Sequence, residues 1–299
     1  MFWLKEPPRV IETRVFSRVP EELRRRQRSA WGDANKGGAI VDCFIEGPVF
    51  DAAGNLYLVD IPHGRIFRVS PAGAWTTVAE YDGEPNGLCL HPDGRLLVAD
   101  YKRGILAVDI ASGTVSEVLG RRNSEGLKGC NDLIVSRRGD IYFTDQGQTG
   151  LHDPTGRVFR LCPDGRLDCL IANGPSPNGL VLGKNEAVLF VAMTRDNSVW
   201  RAPLTSSGVS KVGRFCSFGG TSGPDGLALD AAGNLLVAHA SLGHVFMLAP
   251  NGELLARLPS AAGTTCTNVA FGGPERRTLY ITESLTGTVL MADLPNPGA

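Results

Sequence analysis

The chain has 299 residues, of which 42% are hydrophobic, 37 are glycine and 19 are proline, a composition typical of a globular protein with many tight turns. Its 30 Lys and Arg residues are balanced by 31 Asp and Glu residues, so the formal net charge is −1. This balance excludes a global positive field, and we expect neither a nucleic acid nor a membrane as a partner.

The first 38 residues precede the repeated part of the chain and are interpreted as an N-terminal extension. They contain no apolar stretch long enough for a signal peptide, and the whole chain lacks the roughly 18 apolar residues of a membrane helix. We therefore expect a cytoplasmic protein. Pro20–Leu23 carries a helix-start signal, and the basic run Arg24–Arg28 is interpreted as a solvated helix face. Trp31 and its neighbours 28–36 are expected to cap a pocket.

From residue 39 onwards the sequence repeats six times. Each repeat opens with Asn, Asp or Glu and an apolar run, which a Gly-containing turn connects to a second apolar run. The opening residues, spaced 40, 45, 47, 47 and 43 positions apart, are Glu46, Asn86, Asn131, Asn178, Asp225 and Asn268. Periods of about 20 to 50 residues are typical of solenoids and propellers, in which each repeat needs its neighbours to bury its apolar face.

The second repeat shows the expected internal structure most clearly. Its apolar runs predict strands at 88–90, 96–100, 105–109 and 115–119, with turns between them. Radial repetition of four-stranded sheets gives a β-propeller. We therefore predict an all-β, six-bladed β-propeller with four-stranded blades, forming one domain over 1–299 with its blades in 39–295.

The sixth repeat supplies only three strands, so its outer edge needs a partner. Those predicted strands are 268–271, 279–282 and 288–292. A strand from the extension, at 10–16 or at 39–44, is expected to fill the edge and close the ring. Residues 17–38 would then form a helix and an excursion over one face.

The opening residues are the strongest candidates for chemistry. The first strand of a blade is innermost, so six oxygen-bearing side chains are expected to meet near the axis. The second strands end at the same face, and their last residues are Asp60, Asp100, Asp145, Met193, His239 and Glu283. Asn and Asp are also common turn formers, but a turn preference does not explain Glu46. Oxygen donors of this kind suit a hard cation such as Ca²⁺ or Mg²⁺, whose charge Glu46 and Asp225 would neutralise.

Other types of site find little support in the sequence. The seven cysteines lack Cys-x-x-Cys spacing and are predicted to be free thiols, and neither they nor the five histidines cluster at zinc-ligand spacing. Gly-x-Ser-x-Gly and Walker-type motifs are absent from the sequence. His152, in the long loop 146–157, is expected to overhang the channel as a substrate contact.

Residues 40–295 resemble the gluconolactonase, regucalcin and diisopropyl-fluorophosphatase group of six-bladed propellers, and most closely its gluconolactonase branch. The motifs that carry the resemblance are Glu46-Gly-Pro, Asn131-Asp-Leu with Phe143-Thr-Asp, Pro177-Asn-Gly and Pro224-Asp-Gly. The resemblance implies one divalent cation, with calcium favoured and magnesium, manganese or zinc as alternatives. Its implied ligands are Glu46, Asn131, Asn178 and Asp225.

The resemblance also implies a small-molecule lactone as the substrate. Asn86 and Asn268 would contact water or substrate. Some members have an Arg two residues before the third-blade Asn; here that position is Gly129, and Lys128 beside it is the candidate substrate contact.

These residues support a hydrolytic mechanism in which the cation acts as a Lewis acid on the lactone carbonyl and a carboxylate assists the attack of water. Asp225 is the first candidate for that general base and Glu46 the second. Two alternatives stay open: a phosphotriesterase that uses the same site, and a non-enzymatic interaction scaffold with a structural metal. The sequence predicts no particular oligomeric state.

Overall fold

The computed structural model describes residues 7–299, and within them six small antiparallel sheets form a ring, the predicted six-bladed β-propeller. The inner strand of each sheet packs against the inner strand of the next, and the last packs against the first. Among the described residues no helix has the length and apolar character needed to span a membrane.

The extension contains two strands and two short helical segments. These are β1 (Arg9–Val10), β2 (Arg14–Arg18), a 3-10 turn (Glu21–Leu23) and the helix α1 (Ala30–Asn35). Ser29 caps α1 by accepting a hydrogen bond from the Gly32 N–H at 3.1 Å, as expected for an N-terminal serine cap.

Blades one to three follow, with a small hairpin between the second and third. Their strands are β3 (Ile45–Phe50), β4 (Leu56–Asp60), β5 (Arg65–Val69) and β6 (Trp75–Glu80); β7 (Pro85–Leu90), β8 (Leu96–Asp100), β9 (Gly104–Val108) and β10 (Val115–Leu119); the hairpin β11 (Arg121–Arg122) and β12 (Glu125–Gly126); and β13 (Cys130–Val135), β14 (Ile141–Asp145), β15 (Gly156–Leu161) and β16 (Leu167–Gly174).

Blades four to six complete the ring. Their strands are β17 (Pro177–Leu182), β18 (Val188–Met193), β19 (Ser198–Thr205), β20 (Gly208–Val209) and β21 (Gly213–Ser217); β22 (Pro224–Leu229), β23 (Leu235–His239), β24 (His244–Leu248) and β25 (Leu254–Pro259); and β26 (Cys266–Gly272), β27 (Thr278–Glu283) and β28 (Thr288–Asp293). Further 3-10 turns lie at Ile61–His63, Thr194–Asp196 and Pro274–Arg276.

The N-terminal strands lie on the outer edges of the last two blades. β1 pairs in parallel with β25, and β2 pairs antiparallel with β28, with Val15 opposite Leu290. Two segments were candidates for the strand at the outer edge of blade six. The segment 10–16 overlaps β1 and β2, whereas 39–44 contains no strand. That the pairing stabilises the closed ring stays a prediction.

The interpretation of the basic run Arg24–Arg28 as a helix face is wrong. The helical structure before it ends at Leu23, and the run itself is irregular. Ion pairs hold the run in place: Arg24 contacts Asp42, just before β3, at 3.0 Å, and Arg25 contacts Glu80 of β6 at 2.6 Å.

The core lies between the blades, where facing sheets bury alternate apolar side chains. The middle strands are the most buried: every residue of β4, β8, β9, β14 and β23 is buried. The seven cysteines, all in the described part of the chain, are free thiols, as predicted.

Candidate active site

An irregularity at the start of every inner strand positions the opening residues. The pairing of β3, β7, β13, β17, β22 and β26 with its neighbour shifts register at or next to the opening residue. Such bulges bend a strand and re-aim a side chain. The axis is also crowded: a Cβ on Gly179 would lie 2.3 Å from the Asp225 carbonyl oxygen, and a Cβ on Gly226 would lie 2.0 Å from Asn268 Oδ1. The glycines that follow these opening residues therefore let the inner strands approach closely.

Hydroxyl groups on the second strands, or in the turns after them, form hydrogen bonds to the backbone where the inner strands begin. Thr144 Oγ1 donates to the Asn178 carbonyl oxygen at 2.8 Å, so blade three fixes the opening residue of blade four. Ser284 Oγ donates to the Ile45 carbonyl oxygen at 2.6 Å, which links blade six to the residue before Glu46. Both bonds are buried, where hydrogen bonds contribute most to positional order.

A cavity of about 720 Å³ occupies this end of the axis. Five of the six opening residues line it: Glu46, Asn86, Asn131, Asn178 and Asp225. The sixth, Asn268, is absent from the lining. Its side-chain amide donates to Glu46 Oε2 at 2.9 Å, and its Oδ1 accepts the Val269 N–H at 2.8 Å. Asn268 thus orients Glu46, and we no longer propose it as a substrate contact.

The two candidate carboxylate ligands lie in a strongly desolvating environment. Burial raises the pKa of Glu46, while hydrogen bonds from Gly47, Thr267 and Asn268 oppose the increase. Burial also raises the pKa of Asp225 well above its usual value, and the nearby charge of Glu46 raises it further. Negative charge is thus concentrated where a cation would relieve the repulsion.

A third carboxyl, Asp132, lies beside this pair. Burial, with the charge of Glu46, raises the pKa of Asp132 to about 8. Its Oδ1 accepts the Leu133 N–H at 2.9 Å, and it is absent from the cavity lining. Asp132 occupies the position after the opening residue, where four other repeats have glycine. The departure from glycine at this position is the signal in the sequence that marks Asp132.

A hydrogen-bonded chain of side chains orients Asn131. Its amide nitrogen donates to Gln146 Oε1 at 3.0 Å, and Gln146 Nε2 donates to Ser176 Oγ at 2.9 Å. Because the Asn131 nitrogen is engaged in this way, its carbonyl oxygen is the atom available to a ligand. Gln146 and Ser176 also line the cavity, and both lie outside the six repeat openings, so the repeat pattern does not mark them.

The donor set fits a hard divalent cation. Two carboxylates and two side-chain amides line one buried floor, and oxygen donors of these types are the usual ligands of calcium and magnesium. No group of three or more His, Cys, Asp or Glu side chains within residues 7–299 is placed to hold a metal ion, so the amide oxygens are essential to such a site.

The residues that end the second strands are structural. Asp145 illustrates their contacts: Oδ1 accepts the N–H groups of Lys128 and Gly129 at 2.6 and 2.9 Å, and Oδ2 accepts Arg157 Nε at 2.7 Å. Asp60, Asp100 and Glu283 likewise accept backbone N–H groups from adjoining loops. These fully buried carboxylates hold loops in place, and none of the six residues that end the second strands lines the cavity itself.

His239 ends the second strand of blade five, but it does not form the hydrogen bonds that the carboxylates form at this position in other blades. Its Nε2 lies 3.3 Å from Asn197 Oδ1, whereas its buried Nδ1 has no hydrogen-bond partner within residues 7–299. Burial lowers the pKa of His239 to about 4. The ring is therefore neutral at physiological pH.

The extension does cap the cavity. Trp31 of α1 lines it and packs against Phe44, with ring centroids 4.7 Å apart. Lys36, which ends the helix, extends its Nζ over both rings, at 4.8 Å from the Phe44 centroid and 5.6 Å from the Trp31 centroid. Arg195, from the 3-10 turn after β18, lines the same cavity.

The two basic substrate contacts expected from the sequence differ in their positions. His152 lines the cavity, within the loop that overhangs it. Lys128 does not, because its Nζ donates to Thr155 Oγ1 at 2.5 Å and its backbone N–H is held by Asp145. We therefore no longer propose Lys128 as a substrate contact.

Comparison with known proteins identifies one matching family, and similar proteins and solved structures. Residues 44–284 match the family described as SMP-30/Gluconolactonase/LRE-like region. A gluconolactonase of Zymomonas mobilis is 32% identical over 272 residues, which cover 80% of this chain and 76% of that protein. The solved structure of a gluconolactonase from Xanthomonas campestris has a TM-score of 0.75 and 26% identity, covering 85% of this chain and 86% of that one. Regucalcin of Agrobacterium tumefaciens, a calcium-binding protein at 21% identity and a TM-score of 0.79, covers 98% of both chains and shows the shared fold.

Proposed function

This chain belongs to the SMP-30/gluconolactonase/LRE-like family, and from that premise we propose that it is a metal-dependent hydrolase that opens the ester ring of a small lactone. The observation that carries the proposal is the convergence of Glu46, Asn131, Asn178 and Asp225 on the floor of one cavity. The named activities of the gluconolactonase relatives support a carbon ester as the substrate.

Those four residues would hold one divalent cation, with calcium favoured by the oxygen donor set. When bound, such a cation supplies Lewis-acid stabilisation of the negative charge that develops on a carbonyl oxygen. Asn268 and Gln146 support the site indirectly, because they orient Glu46 and Asn131. Partners of this kind are typical of metal centres.

The protein's own groups would bind the substrate and move the proton. Asp225 is partly exposed to the cavity and is our candidate general base, whereas Glu46 Oε2 is occupied by the N–H of Gly47 and the amide of Asn268. Water adds to the carbonyl carbon and gives up a proton to the base. The acyl C–O bond of the ring then breaks, the ring oxygen takes a proton, and a hydroxy acid leaves. Asn86, at the floor of the cavity, would orient the lactone through its amide.

The test is hydrolysis of neutral and acidic γ- and δ-lactones in a pH-stat, with metal-stripped protein and with Ca²⁺, Mg²⁺, Mn²⁺ or Zn²⁺ restored. Turnover that requires the cation and falls at least about 100-fold in Asp225→Asn would support the proposal. Glu117→Gln, an exposed carboxylate on β10, is the matched control. If every lactone stays at the uncatalysed rate while the cation binds, the lactonase proposal fails, and phosphotriesters become the next substrates to test.

A further inference from the structure

Two cationic side chains line the cavity above its acidic floor. Lys36 belongs to the extension and Arg195 to blade four, so the fold brings them to one rim from distant parts of the sequence. Both are exposed on the cavity side of the molecule. The inference drawn from these two residues rests on the proposed lactonase function, because the reacting ester would bind at the floor of the cavity.

The ammonium group of Lys36 is held in place without an ion pair. Its cation–π contacts with Phe44 and Trp31 fix the Nζ over the aromatic wall of the cavity. The stem of Arg195 passes close to Gly150, where a Cβ would lie 3.6 Å from Arg195 Cγ, beside the loop that carries His152. Within residues 7–299 neither Lys36 nor Arg195 forms an ion pair with a carboxylate.

The two cations lie close enough to influence each other. Burial lowers the pKa of Lys36, the charge of Asp225 opposes that change, and the charge of Arg195 lowers the pKa further. An anion at the rim would relieve the mutual repulsion of the cations.

The charge balance of the cavity favours an anionic substrate over a role in which these two cations neutralise the protein's own carboxylates. The carboxylates that line the cavity are Glu46 and Asp225, and a divalent cation on the floor would neutralise both. Lys36 and Arg195 would then remain as uncompensated positive charge at the rim. A guanidinium and an ammonium together are suited to a carboxylate or a phosphate.

We propose that the substrate is an anionic lactone, whose carboxylate or phosphate lies between Lys36 and Arg195 while its ester ring faces Glu46 and Asp225. The acidic group and the ester would thus be bound at opposite ends of one cavity. A neutral sugar lactone of the same ring size would lack the contact at the rim.

The test compares kcat/KM for three δ-lactones, which are δ-gluconolactone, its 6-phosphate and glucaro-1,5-lactone, so that neutral, phosphorylated and carboxylated substrates of one ring size are separate arms. The variants are Lys36→Met and Arg195→Met, alone and combined, since methionine keeps an apolar stem without the charge. Arg201→Met, an exposed cation on β19 outside the cavity, is the control. We expect at least one anionic lactone to exceed the neutral one about 10-fold or more, and the double variant to remove that preference. The preference should also weaken with added salt.

The outcomes separate the two proposals. Turnover of the neutral lactone without a preference for either anionic lactone would overturn the anionic-substrate inference and leave the lactonase proposal intact. Loss of activity to the same extent on all three substrates in the double variant would also overturn it. Absence of turnover on every substrate would contradict the lactonase proposal itself. Calorimetric binding of glucarate and gluconate to the calcium-loaded protein then decides the inference independently: tighter binding of the dianion, lost in the double variant, supports it, and equal binding overturns it.

Discussion

Glu46 and Asn268 open the first and last repeats, and their contact illustrates how single residues determine this site. The Asn268 amide donates to a carboxylate oxygen that we assign to a cation. Asn268 itself is absent from the cavity lining, so its effect on a ligand acts through the orientation of Glu46. A residue of this kind affects affinity without touching the ligand.

Replacement of Asn268 by Ala should weaken binding of Ca²⁺ about 10- to 100-fold, because Glu46 loses the donor that fixes its carboxylate. Calorimetric titration of metal-stripped protein measures the change. Asn251→Ala is the matched control, because the Asn251 side chain accepts the Glu253 N–H in an exposed turn; this variant should bind as the wild type does. Equal affinities for all three proteins would show that Asn268 has no part in the site.

His239 should make stability dependent on pH. Its pKa is about 4 in the folded protein and about 6.5 in an unfolded chain, so the unfolded state binds the proton first as the pH falls. The free energy of unfolding should therefore decline between about pH 6.5 and pH 4, by up to about 3 kcal/mol. Urea denaturation across this range measures the decline. The decline should be smaller in His239→Gln, and the same slope in the variant and the wild type would refute the assignment.

At the scale of the strand, the carboxylate that ends a second strand connects several parts of a blade. Asp145 joins β14 to β15 through Arg157, and it also fixes the backbone that leads into β13 and Asn131. Both Asp145 and Arg157 are buried, so removal of Asp145 leaves the Arg157 guanidinium with only the longer contact to Glu125, at 3.7 Å, as an ion pair.

Asp145→Ala should lower the free energy of unfolding by about 3 to 5 kcal/mol, because a buried guanidinium and two N–H groups lose their acceptor. Asp164→Ala provides the comparison, since Asp164 accepts one N–H in an exposed turn and its loss should cost less than about 1 kcal/mol. Urea denaturation of both variants tests the difference. Similar losses would mean that the strand-end carboxylate contributes no more than a surface turn.

The sequence predicted the elements that repeat and failed on those that do not. Strands β8 and β10 have the predicted bounds, whereas β7 begins at Pro85, three residues before the predicted start, because the bulge extends pairing through Asn86. The local sequence pattern does not show which loops cross the mouth of the cavity. Lys36 and Arg195 line the same cavity because distant segments pack together, and the repeat period of the sequence does not show this.

At the scale of the whole molecule, the N-terminal strand β2 supplies the outer edge of blade six. Deletion of residues 1–18 should expose β28 as an unpaired edge, lower the melting temperature by roughly 10 °C and promote aggregation. Deletion of 1–8, which ends before β1, should have a much smaller effect. Calorimetry tests this together with the one-domain prediction, since a single domain should unfold in one transition. Equal melting temperatures for the two deletions would show that β2 does not stabilise the ring.

The pairing of β2 with β28 also has a consequence during synthesis. The ribosome adds β2 long before β28, because Arg14–Arg18 precedes Thr288–Asp293 in the chain, so Val15 is synthesised well ahead of its partner Leu290. The earlier blades can assemble on the nascent chain, while β2 must wait as an exposed, apolar-patterned segment. We therefore expect the last blade to fold only after β28 has been made, and a chaperone that shields β2 during this interval should raise the yield of native protein.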